Sequence, residues 1–178
     1  MNTHELNVAR KDAEKQKVEV SFKKANMLDL DYDCKFDCAI NMWYSFGFFE
    51  KDSENLKVLK NFYNSLRKGG KFLMHTDVNM PRVFAGKFRE YEKRSLGGGG
   101  FMRQIEFYSP ETKRNHGVWV LEKNGKVEMK DYSVRVYTKE EFEGMCKEVG
   151  FSKVEIYSDW NGSKYSPDSE DMIVVAIK

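Results

Sequence analysis

Apolar and polar residues fall into blocks along this chain, and the period of the pattern changes twice. The clearest block begins with an apolar run, Phe36-Asp37-Cys38-Ala39-Ile40, followed by an aromatic loop, Asn41-Met42-Trp43-Tyr44-Ser45-Phe46-Gly47-Phe48-Phe49. From about Ser53 to Arg67 the period is helical: Leu56, Leu59, Phe62, Tyr63 and Leu66 form one stripe, Asp52 or Ser53 can cap the start, and Lys68-Gly69-Gly70 can end it. A second apolar run, Lys71 to Val78, comes next. Strand, helix and strand in this order predict a βαβ unit with parallel strands and a right-handed crossover. Open α/β sheets bind ligands at the carboxyl ends of their strands, which puts the aromatic loop after Ile40 in the ligand position.

The flanks extend this pattern. Residues 3–16 read as a thin amphipathic helix with Leu6, Ala9 and Ala13 on one face and Thr3 as cap. Val18-Glu19-Val20-Ser21-Phe22-Lys23 alternates apolar and polar, as an edge strand would, and runs into a turn over residues 25–30. Residues 82–96 are charged and mixed, partly helical in period, and Gly97-Gly98-Gly99-Gly100 reads as a hinge or loop tip. From Phe101 to Tyr137 the alternation is that of strands, with turns at Ser109-Pro110 and at Asn124-Gly125, a strong hairpin signal. Thr138-Lys139-Glu140-Glu141 is a capping box for a helix burying Phe142, Met145 and Val149 and stopping at Gly150. Two last strands, 151–157 and 171–177, are joined closely enough to be antiparallel. The expected fold is α/β: an incomplete Rossmann-like sheet, mostly parallel with its last strand antiparallel, over residues 1–78 and 138–178. A roughly three-stranded antiparallel insert occupies 79–137.

Composition sets the limits. Of 178 residues, 40% are hydrophobic and 33% charged, as in a globular protein with its own core. Thirty basic residues against 28 acidic ones give a net charge of +2, without the footprint nucleic-acid binding leaves. No apolar stretch is long enough for a membrane helix, no signal-peptide pattern opens the chain, and three cysteines suit a reduced, cytoplasmic protein. Cys34 and Cys38 have no second ligand pair for a metal, so buried or half-buried free thiols are expected.

The ordered set Phe36 to Phe49, Leu66-Arg67-Lys68-Gly69-Gly70-Lys71-Phe72, Tyr137 to Phe142, Glu148-Val149-Gly150-Phe151 and Gly162 to Ser169 resembles the class I S-adenosylmethionine-dependent methyltransferases of small-molecule type with an antiparallel insert. The resemblance covers nearly the whole chain. It implies S-adenosylmethionine as cofactor and a small-molecule O or N acceptor. It also points to what these residues lack: the family's first two strands and the glycine-rich turn that holds the cofactor's carboxypropyl end. The exposed sheet edge then calls for a companion N-terminal half or a second copy of the chain.

By the resemblance, Asn26 and Met27 stand at the adenine position, and Asn41, Met42 and Trp43 line the methionine end of the cofactor, where an aromatic attracts a sulfonium. Trp43, Phe46 and Phe49 have plain packing as their simpler reading. Tyr44, Arg103, Trp119, Arg135 and Tyr165 are acceptor-side candidates, each arginine able to clamp an anion or to lie on a solvated strand face. His75 and Tyr44 are candidates for the chemistry, with a satisfied core histidine the alternative for His75. The rival function is a non-catalytic, methyltransferase-like interaction module unable to bind the cofactor alone.

Overall fold

The computed structural model describes residues 3–43, 45–76, 89–90, 93–166, 168–169 and 171–178. Two sheets organise them. The first has four strands in the order β1-β2-β9-β8: β1 (Phe36–Asn41), β2 (Leu66–Thr76), β9 (Met172–Ile177) and β8 (Lys153–Tyr157). β1 and β2 are parallel, while β9 is antiparallel to both β2 and β8. Three strands therefore run one way and only the last is reversed, as expected. Helices α2 (Asp52–Ser65) and α3 (Lys139–Val149) cover one face. Phe72 and Met74 of β2 pack there against Val58, Leu59 and Phe62 of α2 and Phe142 and Cys146 of α3. Leu59 and Phe142 are fully buried, which contributes roughly 1.5–3 kcal/mol each.

The capping box forms as read: the Thr138 hydroxyl accepts from the Glu141 N–H at 3.2 Å, and the Glu141 carboxylate from the Thr138 N–H at 3.0 Å. Gly150 ends α3 with φ 113°. The Gly69-Gly70 pair does something else. α2 stops at Ser65, and Leu66 already lies in β2. Between the partners Phe36↔Leu66 and Cys38↔Lys71 the ladder is irregular, and the glycines occupy that bulge. A Cβ on Gly70 would lie 2.9 Å from the Arg67 carbonyl and 3.2 Å from that of Asp37.

The amino-terminal expectation is half right. α1 (Thr3–Gln16) forms, with Leu6 its buried residue. Val18–Lys23 is not a strand: no strand or helix is assigned there, and Val18 and Val20 are each 51% exposed. The alternation is present, but a strand needs a neighbour, and among the described residues no other strand pairs with β1's outer edge. That edge is open, with Ile40 64% exposed. A short 3-10 helix, Met27–Asp29, follows and packs on α2. The thiols also depart from expectation, for Cys34 and Cys38 are exposed and only Cys146 is buried. Burial, with help from nearby Glu143, pushes the Cys146 thiol up to about 12.

The second sheet is antiparallel. β5 (Gly100–Ser109), β6 (Arg114–Lys123) and β7 (Lys126–Arg135) form the expected meander, turning at Asn124 and Gly125 with φ 51° and 73°. Two short strands, β3 (Arg89–Glu90) and β4 (Arg94–Gly97), pair with β5 and make the sheet five-stranded. Gly98 and Gly99 form the turn from β4 to β5, a loop tip as read. Most of the mixed stretch 82–96 lies outside the described residues. The sheet is fastened to the aromatic loop: the Arg135 N–H donates to the Gly47 carbonyl at 2.8 Å, and Arg114 Nη1 to that of Phe49 at 3.1 Å.

Candidate functional site

Asn41 is the last residue of β1, and His75 and Thr76 end β2 at the same edge of the sheet. Because β9 is antiparallel, it begins where β2 ends, with Thr76 opposite Met172. Asp171 is thereby delivered to the carboxyl ends of the parallel strands.

His75 is 5% exposed. It points away from the Phe72–Met74 face, under two tryptophans from different loops: the Trp43 ring is 5.9 Å away, edge-on, and the Trp160 ring 5.1 Å away, tilted. Neither imidazole nitrogen has a hydrogen-bond partner, and Nε2 lies 3.6 Å from Asp171 Oδ1, just beyond hydrogen-bonding distance. Leaving such a group unsatisfied costs roughly 1–3 kcal/mol, which a leucine in the same place would avoid. The satisfied core histidine is therefore not what the structure holds. Trp43 adds strain, since its φ of 58° is left-handed and uncommon for a non-glycine residue. Its side chain is 75% exposed, and that of Trp160 57%. Phe46 takes the packing role instead, edge-on to Phe142 at 5.4 Å.

Asn41 is the second buried polar side chain here, 6% exposed, with Oδ1 unpartnered and Nδ2 only 3.9 Å from the Met27 sulfur. The Met27 backbone is held by Asn61, whose Nδ2 donates to the Met27 carbonyl at 2.9 Å and to that of Leu28 at 3.2 Å. Asn26 caps the 3-10 helix, its side chain accepting from the Leu28 N–H at 3.1 Å. Met42 is half-buried, and its carbonyl accepts from Ser45 Oγ at 2.8 Å. Met27, Asn41, Met42, Trp43 and His75 are thus brought to one end of the sheet. Tyr44 lies outside the described residues.

The acceptor-side candidates are dispersed. Arg103 of β5 pairs with Glu122 at 2.5 Å, and Trp119 of β6 packs on the Tyr132 ring at 6.0 Å. Tyr165 is half-buried against the core, and burial raises its phenol. Arg135 is neither clamp nor solvated surface. It is 6% exposed and ion-paired with Asp52 at 3.3 Å and Glu141 at 2.9 Å. It lines a cavity of about 380 Å³ between the amino-terminal part of α2 and one side of α3, together with Tyr137, Leu56 and Met145.

Sequence reasoning missed Asp171, Trp160 and Arg114. Asp171 had a usable signal, because an antiparallel final strand puts the residue before it beside the end of β2. Trp160 sits in a connector whose path no pattern specifies. Arg114 falls between the turn at Ser109-Pro110 and the next apolar run and carries no signal of its own, yet it is 9% exposed, and its Nε donates to Ser133 Oγ at 2.7 Å while Nη1 holds the aromatic loop.

Residues 1–170 match the family model described as a methyltransferase domain. A protein named as a methyltransferase in Geobacillus sp. (strain WCH70) is 25% identical over 179 residues, 97% of this chain and 71% of that relative. Among solved structures, an S-adenosylmethionine-dependent methyltransferase from Clostridium acetobutylicum ATCC 824 superposes with a TM-score of 0.78 at 14% identity, covering 99% of this chain and 72% of its own. The CcbJ methyltransferase from Streptomyces caelestis gives a TM-score of 0.71 at 14% identity, covering 85% of this chain. The match spans 61% of that structure's length. At such identities the superpositions establish the shared fold.

Proposed function

The chain belongs to the methyltransferase domain family, and from that premise we propose that it takes part in transferring a methyl group from S-adenosylmethionine to a small-molecule O or N acceptor, at the carboxyl ends of β1 and β2. The observation that carries this reading is that two buried side chains with unpartnered polar atoms, Asn41 and His75, lie at the carboxyl ends of neighbouring parallel strands, one on each face of the sheet. Buried polar groups normally have partners, and orphans at the carboxyl ends of parallel strands mark a place where a ligand can complete the bonding.

The residues present fit the methionine end of the cofactor. Asn41 Oδ1 is an acceptor suited to an ammonium group, and the exposed ring of Trp43 offers a face to a sulfonium. Asn26 and Met27 are assigned to the adenine. When bound, S-adenosylmethionine supplies an electrophilic methyl group, and the chain's own task is to orient the acceptor and keep water out. Trp43 and Trp160 serve that task over the strand ends. Tyr44, Arg103, Trp119 and Tyr165 are assigned to the acceptor side, whereas Arg135 is engaged by Asp52 and Glu141. The glycine-rich turn that would meet the cofactor's carboxylate lies outside these residues, and the segment that supplies it is assigned to the open edge of β1.

Calorimetric titration with S-adenosylmethionine and S-adenosylhomocysteine tests the reading. Binding by the chain alone or together with a glycine-rich companion supports it, and no binding in either case overturns it. The open β1 edge favours one rival, an interaction module without catalysis. That rival predicts a stable complex with a partner and no methyl transfer by the complex.

A further inference from the structure

We propose that His75 is the proton acceptor of the site, that Asp171 is its positioning residue, and that the methyl acceptor is a hydroxyl group. The inference rests on the methyltransferase reading above and extends it to a residue role and a substrate class.

The geometry is specific. His75 is nine-tenths buried, yet both its nitrogens are without partners, so the ring is held by packing alone between Trp43 and Trp160. Asp171 Oδ1 is 3.6 Å from Nε2, a separation that a small rotation closes once the ring carries a second proton. Hydrogen bonds between catalytic groups are often long before substrate arrives and tighten afterwards. With Asp171 on Nε2, Nδ1, itself buried beneath the two tryptophans, is the nitrogen left for a substrate. The surroundings leave His75 few other ionic partners among the described residues. On its face of the sheet the register brings Tyr157, across Ile173, and Glu155, which is paired with Lys153 at 3.0 Å. In the connector carrying Trp160, Asp159 is occupied by the N–H groups of Asn161 and Ser163.

A buried imidazole able to take up a proton discriminates between acceptors. An amine that has lost its extra proton before binding attacks with its lone pair and needs no base in the transition state. A hydroxyl must shed its proton as it attacks. As the acceptor oxygen forms its bond to the methyl carbon, the sulfonium C–S bond breaks with its electron pair left on sulfur. The hydroxyl proton passes to His75 Nδ1, Asp171 steadies the imidazolium through Nε2–H, and solvent takes the proton after release. The exposed faces of Trp43 and Trp160 suit a hydroxyl carried on a flat or apolar ring.

Two measurements on the full chain test this, one of them without any ligand. An imidazolium quenches a neighbouring indole, so acidification should produce a step in tryptophan fluorescence that disappears in His75→Gln and in the double variant Trp43→Phe/Trp160→Phe, with Trp119 as the unaffected reference. Long-range nitrogen–proton NMR spectra should show neutral His75 protonated on Nε2, with the tautomer mixture changing in Asp171→Asn. In methyl-transfer assays with S-adenosylmethionine, and with the companion if one is required, phenol and alcohol acceptors should lose about 100-fold or more in kcat in His75→Gln, with little change in KM. Asp171→Asn should lose less. Folding of each variant is checked by circular dichroism, and His75→Leu serves as the packing-conserving alternative. Unchanged fluorescence titration in His75→Gln, or a hydroxyl-transfer rate indifferent to that change, overturns the proposal while leaving the methyltransferase reading intact. Failure of cofactor binding in the wild type overturns that reading instead, and leaves the fluorescence and NMR results to decide whether the His75–Asp171 pair exists.

Discussion

The phenol of Tyr137 donates a 2.8 Å hydrogen bond to Oδ1 of Asp52, joining the chain just past the end of the second sheet to the first residue of α2. The same carboxylate oxygen lies 3.3 Å from Arg135 Nε, and the Arg135 guanidinium covers the Tyr137 ring at 4.5 Å. Burial, reinforced by Asp52, raises the phenol well above the ordinary tyrosine range, so it remains a donor at any pH the fold survives. Tyr137→Phe keeps the ring and removes this bond. A loss of about 1–2 kcal/mol is expected, read as a lower urea midpoint with an unchanged slope.

Glu141 gives the fold an acid limit. Burial alone would raise its carboxyl, but hydrogen bonds from Arg135, Lys113 and the Thr138 N–H outweigh that and hold it at about 2, down from an ordinary 4.5. A depressed folded-state value contributes stability that is complete above about 4.5 and is lost as pH falls through about 2. Its side chain is 29% exposed, so solvent screening reduces the contribution to roughly 2 kcal/mol. Glu141→Gln should be less stable than wild type at neutral pH, and the difference should shrink between pH 4.5 and 2 in equilibrium melts. A difference that holds constant across that range would contradict the assignment.

The β1-α2-β2 unit, the capping box at Thr138 and the Asn124-Gly125 hairpin were legible because each is specified by its own residues. Val18–Lys23 carries an equally clean alternation and is not a strand, because pairing depends on a neighbour that no local pattern encodes. Gly69-Gly70 suited a helix stop just as well as a bulge, and only the register of β1 against β2 decides between them. The place of Asn41 and Trp43, at the end of β1 and in the loop after it, was legible from the apolar run that precedes them. The meaning of His75 was not, since it depends on Asp171 and Trp160 arriving from far along the chain.

Gly47 is where the aromatic loop meets the second sheet, and its backbone is in the left-handed region at φ 96°. A Cβ there would sit 2.3 Å from the Arg135 carbonyl oxygen, backbone that cannot move aside cheaply. Gly47→Ala should therefore cost more than about 2 kcal/mol, combining an unfavourable φ with a clash. Thermal unfolding should show it, whereas Gly144→Ala, with open space around the site, should melt close to wild type.

The open edge of β1 predicts association. Ile40 is 64% exposed on a strand that pairs on one side only among the described residues. A lysine there would put a charge on the edge, a device natural sheets use against unwanted pairing. If a second copy covers this edge, light scattering on Ile40→Lys should show a fall in mass toward the monomer, with the circular dichroism spectrum unchanged. If a companion polypeptide covers it, co-purification should weaken instead. A variant that changes neither mass nor partner retention would place the partner surface elsewhere.

Asn41 provides the most direct separation of site from scaffold. Its buried Oδ1 has no partner, and its Nδ2 reaches only the Met27 sulfur at 3.9 Å. Asn41→Leu replaces an unsatisfied amide by a side chain of similar size, so the fold should be as stable as wild type or more so, by up to about 1 kcal/mol. If Oδ1 receives the ammonium group of S-adenosylmethionine, the same change removes a charge-assisted hydrogen bond, worth about 1.5–3 kcal/mol, and affinity should fall by roughly 10- to 150-fold. Melting and calorimetric titration on the same sample then move in opposite directions. A variant that is stabilised and still binds the cofactor as wild type would leave Asn41 as a packing residue and shift the methionine end to other residues at the strand ends.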